Sequence, residues 1–358
     1  MDAALGCQDR GAREIQAMNA VAQLDRDERR QLWDRAVQNL GTLPPAMIEK
    51  DFWVCWTLAQ IFALAGARDH FIFKGGTSLS KVWRVIHRFS EDIDVSLSRE
   101  WLGFEGQRDP EGASSGKQRR RLLDELAKAC ACRLKNEVAP ALRDAMAKVL
   151  GPKGWTLEID ADDPQTLLLA YPTALDDAPL MAYIRPMVRI ECGARSDRWP
   201  METAKVMPYV AEAFPDRIRD AAVELPVLGI ERTFWEKATI LHAEAHRPDA
   251  TRAPARFSRH YSDLAAMADH TVATRALARD ELRARVVAHK QAFFASGWTR
   301  YETAVPGTFR LLPDAQRLDA LARDYASMRE MFFAAPPPWN DVVQSLEALE
   351  RKINRQGP

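Results

Sequence analysis

Asp92 and Asp94 stand two apart, a short distance after the run Gly75, Gly76, Thr77 and Ser78. Two hard carboxylates side by side suit Mg²⁺, which keeps part of its shell for waters and phosphate oxygens. Adjacent glycines permit positive φ and let backbone N–H groups approach an anion with no Cβ in the way. A phosphate cradle followed by a carboxylate pair is the equipment that attack on a triphosphate requires. Charge is neutralised first, and the attacking and leaving oxygens are then held about one or two cations.

Such side chains need elements to aim them. Residues 71–73, Phe-Ile-Phe, read as a buried strand stopped by glycine, with Lys74 at its end. Thr77 or Ser78 is the expected N-cap of a helix in which Leu79, Val82, Trp83 and Ile86 recur at helical spacing. Asp92 and Asp94 then fall on a second strand, projecting together while Ile93 and Val95 face the core. The plainer alternative is a tight strand-to-helix turn beside an edge strand carrying two solvated aspartates.

Phe73-Lys74-Gly75-Gly76-Thr77-Ser78-Leu79 and Arg88-Phe89-Ser90-Glu91-Asp92-Ile93-Asp94 resemble the signature motifs of the DNA polymerase β-like nucleotidyltransferases. More narrowly, they resemble the AbiEii/AbiGii toxin family of abortive-infection and toxin–antitoxin systems. The one departure from the wider superfamily is Thr77, where serine usually follows glycine. The resemblance implies an α+β fold, with a mixed sheet flanked by helices and a C-terminal helical bundle. It divides the chain into a helical bracing segment at 1–66, a nucleotidyltransferase core at 67–200 and a helical domain at 201–358.

It also implies site residues. Glu191, alternating with apolar neighbours in Val188-Arg189-Ile190-Glu191, is at the position of a third metal-binding carboxylate, the alternative being a surface glutamate. Lys237 matches a family lysine that reaches the β- and γ-phosphates beside Lys74, Gly75, Gly76, Thr77 and Ser78. Asp263, in Arg259-His260-Tyr261-Ser262-Asp263-Leu264, matches the acidic member of the last motif. It either orients Lys237 through an ion pair or is a helix-start aspartate. The implied activity is a Mg²⁺-dependent transfer, with two ions, of a nucleotide from an NTP, GTP and CTP being candidates. The acceptor is a cellular RNA such as the tRNA 3′ end, and a cognate antitoxin opposes the activity. Two other functions fit the same motifs: nucleotidylation of a protein or small molecule, and GTP binding without turnover.

Composition sets limits on these readings. The 358 residues suffice for a full core, and Lys+Arg and Asp+Glu both total 50, so any polyanion must be met by a local patch. Cys7, Cys55, Cys130, Cys132 and Cys192 show no Cys-x-x-Cys spacing and suit a reducing cytoplasm. No signal sequence and no membrane-length apolar run is evident.

Along the remaining chain, residues 1–12 read as frayed and 13–38 as helix-prone. Pro44-Pro45 opens a helix with Ile48, Phe52, Cys55 and Phe62 on one buried stripe. Its Glu49-Lys50-Asp51 reads as solvated charge or a scaffold ion pair. A loop rich in Gly and Ser at 103–116 reads as mobile, ending in Lys117, Arg119, Arg120 and Arg121, a run that is either a solvated face or a phosphate contact. A helix follows at 121–150, and strands at 155–160, 166–171 and 183–192. The chain reads as mostly helical from Trp199, with a helix at 231–246. His242 and His246, four apart, read as a surface pair in preference to metal ligands.

Overall fold

The computed structural model describes residues 15–41, 43–175, 184–218, 221–251 and 253–355. The chain forms two compact units. One comprises residues up to Val82, Phe89–Glu105 and Asp124–Val227; the other comprises Trp83–Arg88, Gly106–Leu123 and Leu228 onward. These divide the chain differently from the segments 1–66, 67–200 and 201–358.

The first unit is α+β, as expected. Helix α1 (15–22) leads to α2 (Arg26–Leu40), which opens with a reciprocal capping box between Asp25 and Glu28. Pro45 starts α3 (Pro45–Ala63), and a one-turn α4 (Ala67–His70) enters the sheet. The strands are β1 (Phe71–Lys74), β2 (Ile93–Leu97), β3 (Thr156–Ile159), β4 (Thr166–Ala170), β5 (Met187–Gly193), β6 (Met201–Val206) and β7 (Val223–Leu228), in spatial order β3-β4-β5-β2-β1-β7-β6. Strand β2 is antiparallel to β1 and parallel to β5. It is therefore an interior strand, which removes the reading of the aspartates as ornaments of a sheet edge. After Trp199 the chain is mostly helical, as expected, with the two short strands β6 and β7 completing the sheet. The expected third strand starts at Met187, and Tyr183, where it was to begin, lies outside the described residues, as do residues 1–12.

Two helices depart from their expected limits. Helix α5 (Gly75–Lys81) starts at the glycines, with Lys74 in the N-cap position, and ends before Trp83 and Ile86. The chain takes positive φ at Arg84, and residues 83–88 pass to the second unit, which removes those apolar side chains from the helix face. Helix α6 (Gly116–Arg133) starts earlier than expected and joins α7 (Ala139–Leu150) through a π turn at Leu134–Val138. Pro140 has no N–H to donate to Asn136 and its ring would crowd that carbonyl, so the wider turn resolves the conflict. Gly151, at φ 73°, ends the run.

Helix α3 is buried on every side from Ala46 to Phe62, not along one stripe. Its charged triplet is not solvated: Glu49, Lys50 and Asp51 are 1–2% exposed, and each leaves in a different direction. Glu49 accepts from Trp33, the Thr173 hydroxyl and the Ala174 N–H. Lys50 donates to the carbonyls of Arg185 and Met187, at the start of β5, and pairs with Glu91 at 3.1 Å. Asp51 pairs with Lys81 at 2.7 Å and accepts from the N–H of Tyr209, the first residue of α8 (Tyr209–Ala213). Burial alone would lower the Lys81 pKa, but the Asp51 carboxylate outweighs it and keeps the ammonium charged.

The second unit is helical: α9 (Ile230–Glu244), α10 (Arg259–Ala268), α11 (Thr271–Leu277), α12 (Asp280–Phe293), α13 (Ala315–Ser327) and α14 (Trp339–Asn354). Helix α9 packs on α10, α11 and α12, and α10 on α14. Pro306, Pro313 and Pro336-Pro337-Pro338 lie between helices, where a missing N–H does no harm. The stretch expected to be a mobile loop holds two 3-10 turns, Gly106–Arg108 and Pro110–Gly112, and Glu111 pairs with Arg285 at 3.1 Å. Lys117, Arg120 and Arg121 are exposed at the start of α6, while Arg119 donates to the Pro110 carbonyl.

Candidate active site

Gly75 is where turn and strand meet. Its φ is +83°, and a Cβ built on it would lie 1.9 Å from Asp94 Oδ2. Backbone conformation and space therefore both demand glycine, and the Asp94 carboxylate lies directly against the turn. Thr77, fully buried, donates to the Asp92 carbonyl and contacts Ser90 Oγ at 2.9 Å. Ser78, also fully buried, donates to the Gly75 carbonyl at 2.8 Å. Of the two hydroxyls expected to grip a triphosphate, that of Thr77 fastens the turn to the aspartate segment and that of Ser78 closes the turn on Gly75. Gly75, Gly76 and Lys74 are the partly exposed members of the motif.

Ile93 and Val95 are 0% and 1% exposed, so their neighbour Asp94 projects to the opposite face, with Asp92 one residue before the strand. Lys74 is the cross-strand partner of Asp94 on β1, and their charges are 3.9 Å apart. Glu191 is the register partner of Asp94 on parallel β5. The sheet thus brings Lys74, Asp94 and Glu191 onto three neighbouring strands. The Glu191 carboxylate pairs with Arg189 at 2.9 Å. Among the described residues, no three His, Cys, Asp or Glu side chains are grouped as about a cation. The donor set is nevertheless of the kind Mg²⁺ takes: hard carboxylate oxygens, partly exposed, with Asp94 in a cradle that a Cβ would fill.

Lys50 connects this face to α3. Burial lowers its pKa, opposed by Glu91 and Asp92, so the acidic segment itself helps to keep the buried ammonium charged. Its carbonyl contacts at Arg185 and Met187 fix the start of β5, the strand that carries Glu191.

Lys237 and Asp263 belong to the second unit, where they pair at 2.8 Å. Arg88 grips the same carboxylate with two bonds, Nε to Oδ1 at 2.7 Å and Nη2 to Oδ2 at 2.8 Å. Asp263 is 1% exposed and lies in the middle of α10, which favours the ion-pair account over the helix-start one. Burial by itself would raise its pKa; Arg88 and Lys237 outweigh that and hold it well below the usual carboxylate range. Burial lowers Lys237, with Asp263 opposing. Arg88 had no assigned role in the sequence. Its fixed place four residues before Asp92 was the available signal, but the partner lies 175 positions away.

His242 is neither a ligand nor a surface residue. It is fully buried, its Nδ1 accepts from the Arg310 N–H at 3.1 Å, and its Nε2 lies 3.0 Å from the Arg300 carbonyl. The Arg310 donor fixes the tautomer with the proton on Nε2. Burial pushes its pKa down to about 4.

Among the described residues, no helix is long and apolar enough to cross a membrane. No curated relative matches the chain. Among solved structures, MenT4, the nucleotidyltransferase toxin Rv2826c from Mycobacterium tuberculosis H37Rv, aligns over 91% of this chain and 99% of its own, at 16% identity and a TM-score of 0.36. The family model described as nucleotidyl transferase AbiEii toxin, type IV toxin–antitoxin system, matches residues 56–351, a span that takes in the glycine turn, the acidic strand and the Arg88–Lys237–Asp263 cluster. With most of its length under that match, the chain belongs to the AbiEii family of nucleotidyltransferase toxins.

Proposed function

We propose that this toxin transfers a nucleoside monophosphate from an NTP to a cellular RNA, with the tRNA 3′ end as the favoured acceptor. Asp92, Asp94 and Glu191 would hold Mg²⁺, two ions being expected. When bound, the metal supplies charge neutralisation for the phosphates and a lowered pKa for the attacking hydroxyl. The observation that carries this reading is the fit of Asp94 against Gly75, with Glu191 in register on the next strand.

The chain's own contribution is positioning. The Gly75-Gly76 backbone and Lys74 meet the triphosphate, and Thr77 and Ser78 lock the turn. An RNA hydroxyl oxygen attacks the α-phosphorus and loses its proton to solvent, the bond from the α-phosphorus to the α,β-bridging oxygen breaks, and pyrophosphate leaves. No protein nucleophile is needed, so orientation and charge stabilisation carry the rate. Lys237, held by Asp263, is a candidate for the outer phosphates as a compact cation. The choice of RNA, NTP, cytoplasmic setting and cognate antitoxin rests on the family. GTP and CTP are the first nucleotides to test.

The test supplies the protein and Mg²⁺ with total RNA and each NTP, labelled at either the α or the γ position. α-Label on a tRNA-sized band is expected, and it should disappear with Asp92→Ala or Asp94→Ala. γ-Label on any acceptor would overturn the attack site. α-Label on protein, or bound nucleotide with no transfer, would replace the RNA acceptor by one of the other two readings.

A further inference from the structure

Arg189 and Glu191 stand two apart on β5 and share a face of the strand. The register with β2 sets Glu191 beside Asp94 and, continued one step before the strand, Arg189 beside Asp92. Arg189 Nε donates to Glu191 Oε1 at 2.9 Å, and its Nη1 reaches Asp160 in the turn after β3. Asp160 is itself fixed, since it accepts from the Asp162 N–H and its own N–H donates to the Thr166 carbonyl. One planar, permanently charged guanidinium therefore links a carboxylate of the candidate site to a carboxylate outside it.

This arrangement bears on cation binding in two ways. The bond to Arg189 draws the Glu191 carboxylate along its own strand and takes up one of its oxygen lone pairs. The guanidinium also brings a positive charge to the face where a divalent ion would sit. We propose that Arg189 is a positioning residue that holds Glu191 off the two aspartates until a divalent cation is bound, and that Asp160 retains the guanidinium when Glu191 leaves it. The proposal rests on the reading of Asp92, Asp94 and Glu191 as metal ligands. Glu191 is 45% exposed and Arg189 37%, so the carboxylate can move without opening the core. The arrangement makes the site's affinity for free cation low, and the third carboxylate is supplied only as the cation arrives.

The test is Mn²⁺ binding to the nucleotide-free, full-length protein, followed by electron paramagnetic resonance or calorimetry. Arg189→Gln should tighten Mn²⁺ binding by about fivefold, the gain shrinking as salt is raised. Asp160→Asn should weaken it, because Arg189 then has Glu191 as its remaining carboxylate partner in this chain of contacts. In a Glu191→Gln background, Arg189→Gln should lose most of its effect. Unchanged or weaker binding in Arg189→Gln overturns the proposal. Asp94→Asn separates the two levels of inference: if it loses Mn²⁺ while Arg189→Gln changes nothing, only the role of Arg189 fails. If Asp94→Asn binds as tightly as the unaltered protein, the ligand assignment fails and takes the proposal with it. Should Arg189→Gln fold poorly, the Asp160→Asn shift reads the same coupling from its other end.

Discussion

Asp94 and Asp263 each face a lysine, yet the side chain of Asp94 is 24% exposed and 3.9 Å from its partner, whereas that of Asp263 is 1% exposed and 2.8 Å from Lys237. Asp263 has a further, bidentate partner in Arg88. An acid meant to bind a ligand must keep oxygen lone pairs and water access in reserve. An acid that accepts charged donors on both oxygens in a sealed site has committed them to holding elements together. The two aspartates thus differ in exposure and in the distance of their lysine, which residue type alone does not give.

The contrast can be broken most directly at Asp263. Asp263→Ala leaves Arg88 and Lys237 buried without their carboxylate and should destabilise the protein by about 3–5 kcal/mol in urea unfolding. A loss below about 1 kcal/mol would remove the distinction. Gly75→Ala comes next, at about 2 kcal/mol, from positive φ and from overlap with Asp94. It should also abolish nucleotidyl transfer, because Asp94 must move. A fully active Gly75→Ala protein would show that the cradle is not needed.

The third test uses pH. Folded His242 titrates near 4, against an ordinary 6.5, so the unfolded chain takes up the proton first as pH falls. Its contribution is complete above pH 6.5 and is lost as pH falls from there toward 4, by about 2 kcal/mol between pH 7 and pH 5. His242→Gln should flatten that part of the stability profile. An unchanged profile would mean that another group sets it. The smallest stability effect is expected at the partly exposed Asp94. Asp94→Asn should change unfolding free energy by less than about 1 kcal/mol while lowering transfer by a hundredfold or more.

Gly75, Asp92 and Asp94 could be singled out in the sequence because metal and phosphate chemistry asks for particular residue types at short spacings, whereas Glu191, far along the chain, was singled out through the family resemblance. Alternation around Ile190 gave the face of Glu191, and the apolar triplet at 71–73 gave β1. The unread parts depend on long-range partners. That the Thr77 hydroxyl donates to the Asp92 carbonyl and that of Ser78 to Gly75 could not be read from the motif itself. Glu49, Lys50 and Asp51 could be read as solvated or as scaffold ion pairs; the ion pairs to Glu91 and Lys81 bear out the second, while Ala174, Met187 and Tyr209, which also hold them, are more than a hundred positions away. Strand β6 lacks the alternating pattern, being exposed at most positions on the sheet edge, and β7 carries Pro226 in its apolar run, which weighs against a strand in the sequence.

The charged triplet of α3 has a mechanical consequence. Its three side chains reach outward at successive angles of roughly 100° and hold the 173–174 segment, the start of β5 with Glu91, and the start of α8 with Lys81. Sliding α3 by one turn, or rolling it about its axis, would break all three attachments together. The sheet is thus attached to α3 at several points around the helix. A shift of the sheet against α3 would have to release these attachments, which sets the sheet's register to the helix.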